Sequence, residues 1–207
     1  MQEIFESSEF VSSLIQEYDR RPVANPDHPV HLVNLVKGWD QPELSVLDVG
    51  CGYGRMRRLW KHAQYLGVDD SSEMVRRCQE IGIQVQKESI YNMSFDDRSF
   101  DVVASSSVLF HIGHVPRDVR ELWRVTREVL VFSCFWSIMP KLGCGGVKPV
   151  FFDNPDTGVA VWSPANEIWF PQLLKTIRSL KPKRYRIKWF YRGIFPCTRI
   201  AQVRIER

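Results

Sequence analysis

The stretch VLDVGCGYG, Val46–Gly54, constrains this chain more than any other. A short apolar run, Ser45–Val49, is ended by glycines at alternate positions, Gly50, Gly52 and Gly54. An apolar run of that length closed by glycine fits a strand buried on both faces, as in a parallel sheet covered by helices. Glycines directly after such a strand let the backbone pass close to a ligand without a Cβ in the way. In an open parallel sheet the ligand sits at the carboxyl ends of the strands, beside the first one.

The following segments keep the same turn-taking. Arg55–His62 reads as a helix and Gln64–Val68 as a second strand, and Asp69, Asp70 and Ser71 are helix-start residues for Glu73–Ile81. Ile83–Lys87 and Phe100–Ser105 read as a third and fourth strand. Arg117–Arg127, opened by Pro116, carries Val119, Leu122, Trp123 and Val125 as a helical stripe, and Val129–Ser133 is a fifth strand. Strand and helix in strict alternation imply parallel strands with right-handed crossovers, hence an α/β doubly wound sheet.

After the fifth strand the rhythm breaks. Residues 136–162 hold four glycines and three prolines, with a hairpin expected around Pro155-Asp156-Thr157-Gly158. A loop this long fits a lid or a binding loop. Ser163-Pro164 predicts an N-cap and first helical position for Ala165–Leu180. Two period-two segments, Arg184–Tyr191 and Thr198–Ile205, predict an antiparallel pair at one sheet edge. Before the sheet, Phe10, Val11, Leu14 and Ile15 make the apolar face of a helical cap, followed by the proline-broken RPVANPDHP.

At 207 residues and 44% hydrophobic, the chain can bury one large core, which excludes disorder, a collagen-like repeat and a disulfide-stapled miniprotein. No apolar run approaches the roughly 20 residues of a membrane helix, and the acidic start MQEIFESSEF does not read as a secretory signal. Cys51, Cys78, Cys134, Cys144 and Cys197 contain no CxxC pair, so neither a metal site nor a disulfide framework is expected and a reduced, cytoplasmic setting fits. The net charge of +4 is uneven. Residues 1–140 carry 15 Lys+Arg against 20 Asp+Glu, whereas residues 141–207 carry 13 against 4. A basic end can meet an acidic substrate or a phosphate backbone, and it equally describes solvent-edged strands that turn their charges outward.

The glycine run is not a dinucleotide fingerprint, because Arg55 stands where G-x-G-x-x-G needs its third glycine. Asp48, two residues before the first glycine, repels a pyrophosphate and suits a cationic ligand. VLDVGCGYG resembles motif I of the class I S-adenosylmethionine-dependent methyltransferases, in the small "type 11" form. The resemblance continues through YLGVDDSSEMV (Tyr65–Val75), FDDRSFDVVASSSVLFHI (Phe95–Ile112) and ELWRV (Glu121–Val125), and so covers roughly residues 45 to 135 in order and spacing. It implies a Rossmann-like, mostly parallel seven-stranded sheet with an antiparallel edge strand. The single domain would comprise an N-terminal cap (1–43), a cofactor core (44–135), a lid-like insertion (136–162) and a C-terminal helix and strand pair (163–207).

The same resemblance implies S-adenosylmethionine as cofactor and S-adenosylhomocysteine as product. It gives Asp69 to the ribose hydroxyls and Asp48, through water, to the methionyl ammonium, beside the backbone of Gly50, Cys51, Gly52 and Gly54. Ser89 and Ile90 fall where the family usually has Asp followed by a small or apolar residue at the adenine. Asp70 takes the place of an apolar adenine neighbour, a task Met74 can fill. Ser105, first of the run Ser105-Ser106-Ser107, supplies a carbonyl to the ammonium, and Tyr18 and Arg20 fold over the cofactor. ELWRV is followed by RVTREVLVFS, without the Lys-Pro-Gly-Gly turn common in the family. His111, and behind it His114, fall on the substrate side, where an imidazole can serve as base near neutrality or simply end a loop.

The acceptor expected is a small molecule. No [ND]PP[YF] follows the fourth strand, and Pro196-Cys197 lies far from that position. The alternatives are the same chemistry on RNA or an acidic protein, met through the basic C-terminal region, and a non-catalytic module that keeps the cofactor pocket. A nicotinamide dehydrogenase comes last. No membrane partner is expected.

Overall fold

The computed structural model describes residues 5–20, 28–109, 111–112, 114–137, 148–153, 160–165, 167–191 and 199–207. Two helices precede the sheet, α1 (Ser8–Arg20) and α2 (Pro29–Val33), the second running into a 3-10 turn at Asn34–Trp39. Then come β1 (Ser45–Val49), a 3-10 turn at Arg55–Leu59, β2 (Gln64–Asp69), α3 (Ser72–Glu80) and β3 (Val85–Lys87). The second half of the alternation is β4 (Phe100–Ser105), α4 (Val115–Val125) and β5 (Thr126–Ser137). The remaining elements are β6 (Lys148–Asp153), β7 (Ala160–Ala165), β8 (Glu167–Trp169), α5 (Phe170–Ser179), β9 (Arg184–Tyr191) and β10 (Arg199–Glu206).

The main sheet runs β3-β2-β1-β4-β5-β10-β9, with β8 paired to the end of β5. From β3 to β5 every pairing is parallel, while β10 lies antiparallel to both β5 and β9. The antiparallel strand is therefore one place in from the edge rather than at it. Chain order reverses between β1 and β4, the switch point at which a crevice opens. The sheet is buried on both faces. Leu47, Val49, Val103 and Leu130 pack under α4 and α5 with Leu122, Leu173 and Ile177. Val46, Val102 and Val129 face Leu32, Val36, Met56, Trp60 and Tyr65 on the other side.

Three elements differ from the sequence reading. The helix expected over Arg55–His62 is a single 3-10 turn ending at Leu59. The Asp40 carboxylate accepts hydrogen bonds from the amides of Lys61, His62 and Ala63 at 3.0, 2.9 and 3.0 Å, so those amides never join a helix. The helix expected from Ala165 begins at Phe170, with Pro171 in its first turn. Ser163 and Pro164 instead pair with Val150 and Pro149 in the β6–β7 hairpin, and that ladder delays the helix. The turn Pro155–Gly158 lies outside the described residues. Finally, α4 stops at Val125 and β5 extends to Ser137, well past the predicted Ser133.

The amino ends of β1, β4 and β5 are tied by one carboxylate. Asp101 accepts from the Ser45 amide at 2.9 Å, the Ser45 hydroxyl at 2.7 Å and Arg127 at 2.7 Å. Burial pushes its pKa up, but the bonds from Ser45 and Arg127 outweigh that and hold it below the ordinary carboxylate value. The contribution is thus present above the unfolded-state value near pH 4 and is lost as pH falls through the lower folded value. Asp101→Ala is expected to cost about 1–3 kcal/mol at pH 7, read as a lowered midpoint in urea unfolding. The gap to the parent should narrow below about pH 4.

Candidate active site

The glycine loop leaves β1 in a conformation that other residues resist. Gly50, Gly52 and Gly54 have φ of +71°, +54° and +82°. The Gly50 and Cys51 amides donate to the Val68 carbonyl at 2.8 and 3.0 Å, which folds the loop back onto β2. A Cβ on Gly50 would meet Val108 at 2.3 Å, so that glycine also marks the narrow wall between the loop and the segment after β4. Gly54 has its back to the crevice, where a Cβ would meet Ile83 at 2.3 Å.

Asp69, at the end of β2, organises both neighbours. Its Oδ2 accepts the Gly52 amide at 2.8 Å and its Oδ1 the Ser71 amide at 3.0 Å. Ser71 caps α3 by accepting from the Met74 amide at 3.2 Å, and its hydroxyl donates to the Phe5 carbonyl. Asp48, buried at the end of β1, accepts the Tyr65 hydroxyl at 2.7 Å. Burial is the main cause that pushes both carboxyls up: Asp48 to about 7 despite the Tyr65 bond, and Asp69 to about 6 despite its two amide donors. Each destabilises the ligand-free fold when ionised and gains from a cation or from added donors.

These groups open into one cleft with about 1250 Å³ of empty space, counted out to its mouth. Of the predicted site residues, Asp48, Gly50, Cys51, Gly52, Asp69, Asp70, Met74, Ile90 and His111 line it. Gly54, Ser89 and Ser105 do not. Gly54 packs behind the loop, and the buried Ser105 hydroxyl is spent on the Val49 carbonyl at 3.0 Å, stitching β4 to β1. Ser106 and Ser107 line the cleft in its place. Ser107 is held at φ 62°, its amide donating to the Ser133 hydroxyl at 2.8 Å. Arg20 is exposed at the end of α1 and off the cleft, while the Tyr18 side chain lies outside the described residues.

His111 is half-buried, with its ring edge-on to Phe5 at 5.8 Å between centroids. His114 is exposed at the start of α4 and does not reach the cleft. The cap closes the cleft through Phe5, Leu14 and Pro29, of which sequence reasoning marked only Leu14, on the apolar face of the cap helix; it missed Phe5 and Pro29, and Glu88 and Tyr91 after β3. No local pattern marks Phe5 or Pro29. Glu88 and Tyr91, however, flank the Ser89-Ile90 pair that the motif had already indicated. Among the described residues no group of three or more His, Cys, Asp or Glu is placed to hold a metal ion, and no helix is long and apolar enough to cross a membrane.

A parallel sheet of order 3-2-1-4-5, a glycine loop after β1 and an acid at the end of β2 define a class I methyltransferase fold. Residues 47–131, under half of the chain, match the model of the methyltransferase domain, and over that stretch the chain is similar to the S-adenosylmethionine-dependent methyltransferases. Solved structures with this fold include a methyltransferase from Thermotoga maritima described as a possible histamine N-methyltransferase. It is 18% identical, with a TM-score of 0.66 over 100% of this chain and 99% of that one. Magnesium protoporphyrin IX methyltransferase from Synechocystis, with bound S-adenosylhomocysteine, gives the same TM-score and identity over 100% and 98%. Among curated relatives, the malonyl-[acyl-carrier protein] O-methyltransferase of Pectobacterium atrosepticum is 33% identical over 96 residues, 44% of this chain and 38% of its own length. A probable tRNA methyltransferase 9B of Bos taurus is 26% identical over 90 residues, 44% of this chain and 20% of its own. The chain thus spans well under half the length of these two relatives.

The raised carboxyls set a sign for stability. Between about pH 4 and 7 these two groups bind more protons in the folded, ligand-free state than in the unfolded chain, so their contribution to stability falls as pH rises across that window. Asp48→Asn and Asp69→Asn are each expected to flatten this slope. The check is urea unfolding at pH 5, 6, 7 and 8; variants whose pH dependence matches the parent's would contradict the assignment.

Proposed function

We propose that this protein transfers a methyl group from S-adenosylmethionine to a small-molecule acceptor by in-line displacement. One observation carries the reading: a buried carboxylate, Asp48, and a half-buried one, Asp69, at the ends of adjacent strands, flank a positive-φ glycine loop in a single cleft. The donor set fits the cofactor. Asp69 keeps acceptor capacity beyond its two amide bonds and can take the ribose hydroxyls. Asp48 supplies a negative group for the methionyl ammonium, and its burial makes it gain from a cation. Gly50 and Gly52 let the backbone approach, while Met74 and Ile90 offer an apolar bed for the adenine, with Glu88 beside it.

When bound, the cofactor supplies an electrophilic methyl carbon on a sulfonium. The residues then contribute alignment and the exclusion of water, which is the main source of acceleration for a displacement. His111, between the cap and the segment after β4, is placed to take a proton from a hydroxyl or amine acceptor. Phe5, Leu14 and Ile112 give the cleft an apolar side suited to a compact acceptor. A second reading, RNA as acceptor, draws support from the exposed basic edge of Lys181, Lys183, Arg184, Arg186 and Lys188 around β9. It also draws on the tRNA methyltransferase relative.

Calorimetric titration with S-adenosylmethionine, S-adenosylhomocysteine and NAD tests the pocket. The two sulfur nucleotides are expected to bind and NAD is not, and Asp69→Ala and Gly52→Val should each weaken binding at least about tenfold. Unchanged affinity in both variants would sink the reading. With an acceptor in hand, His111→Ala is expected to lower turnover while leaving cofactor affinity within about twofold. The RNA reading requires salt-sensitive RNA binding that falls when the basic residues of β9 are neutralised.

A further inference from the structure

Among the buried titratable groups that the mechanism above leaves unused is the Tyr65 phenol. Tyr65 pairs with Val46 on β2, two residues before Gly67, which pairs with Asp48. Residues two apart share a face of a strand, and side chains there lean along the strand. Tyr65 leans over the bare face of Gly67, and its hydroxyl reaches Asp48 Oδ2 at 2.7 Å. Both partners are largely buried, at 6% and 2% exposure, and Asp48 borders the cleft. The approach depends on the missing side chain. A Cβ on Gly67 would lie 3.3 Å from the Tyr65 hydroxyl and 2.8 Å from Cys51 Sγ. From outside the strand the Arg57 guanidinium lies 5.7 Å from the centre of the Tyr65 ring.

We infer that Tyr65 is a positioning residue of the cofactor site: its hydroxyl fixes the plane of the Asp48 carboxylate and favours the charged form that meets the methionyl ammonium. This rests on the cofactor reading given above. A phenol donating to a carboxylate stabilises the anion and not the acid, so the bond works against the burial that raises Asp48. The other groups that face Asp48 are Asp69, from β2, and the Cys51 thiol, from the glycine loop. Cys51 and Cys78 of α3 also face the Tyr65 hydroxyl. None of these is a cation, and Asp69 opposes a second negative charge. The phenol is thus the neighbour that tips Asp48 toward ionisation. Cofactor binding becomes linked to a proton, stronger as pH rises through the Asp48 titration and level above it.

The experiment is calorimetric titration of S-adenosylhomocysteine into the parent chain and Tyr65→Phe between pH 6 and 9. A second readout is the carbon-13 carboxyl titration of Asp48 in both ligand-free proteins. In the variant the rising limb of affinity is expected about one pH unit higher, a loss of about fivefold near pH 7 that approaches tenfold toward pH 6 and closes by pH 9. The ligand-free Asp48 titration should move up with it. In an Asp48→Asn background, Tyr65→Phe should change affinity by less than about twofold, because its partner is gone. An equal loss at every pH, an unmoved carboxyl titration, or an undiminished effect in the Asp48→Asn background would overturn the assignment while leaving the cofactor reading intact. Failure of the parent to bind at any pH would sink the cofactor reading, and this inference with it.

Discussion

The site depends on what Asp69 does with its two oxygens. A loop with three residues at positive φ cannot hold itself by ladder hydrogen bonds. It is held from outside, by the Val68 carbonyl and by the carboxylate that takes the Gly52 amide. The other oxygen fixes Ser71, which caps α3 and reaches the backbone of Phe5. A continuous run of hydrogen bonds therefore joins the glycine loop, the end of β2, the start of α3 and the N-terminal cap. Burying a charge to do this is costly, and two amide donors offset only part of the cost. The unspent part is what a ligand with hydroxyl donors would recover.

The carboxylates of this protein divide by the company they keep. Most of the perturbed carboxylates of the scaffold sit below their ordinary pKa, Asp40 under three amides, Asp101 under Ser45 and Arg127, and Glu121 beside Arg124, while Asp118 of α4 is pushed up by burial despite Arg117. Glu73, held chiefly by Arg76 and then by Arg77, falls to about 2. In the lowered groups the ionised form is satisfied within the fold. Asp48 and Asp69 sit above it, pushed up chiefly by desolvation at the ends of adjacent strands. Groups whose charge the fold leaves uncompensated gather where a ligand is to complete them.

Much of this was legible in the sequence because it is local. β1, β4 and the Ser71 cap follow from runs of a few residues, and the order of motifs gave the parallel half of the sheet. What the sequence did not disclose is set by distant partners. Asp40 stops a helix some twenty residues further along, and the hairpin holding Ser163 and Pro164 delays another. Phe5 and Leu14 reach the cleft because α1 folds back over α3 and the loop, and Pro29 borders it from the start of α2. Within the serine run, a backbone carbonyl facing the ligand was expected at the end of β4. Strand alternation then turned Ser105 inward to the Val49 carbonyl and left the cleft to its successors.

The position of β10 has a consequence for synthesis. β5 needs a neighbour on each side: β4 directly precedes it in the chain, and β10 is translated only after the β6–β7 hairpin, α5 and β9. While the chain emerges, the glycine loop and both acids can already be assembled on β1 to β4, yet one long edge of β5 stays open with its amides and carbonyls bare. Such an edge invites pairing with the wrong strand. The half of the protein that holds the ligand would thus mature first. Its protection from neighbouring chains on the ribosome would arrive last, when β10 slides between β5 and β9.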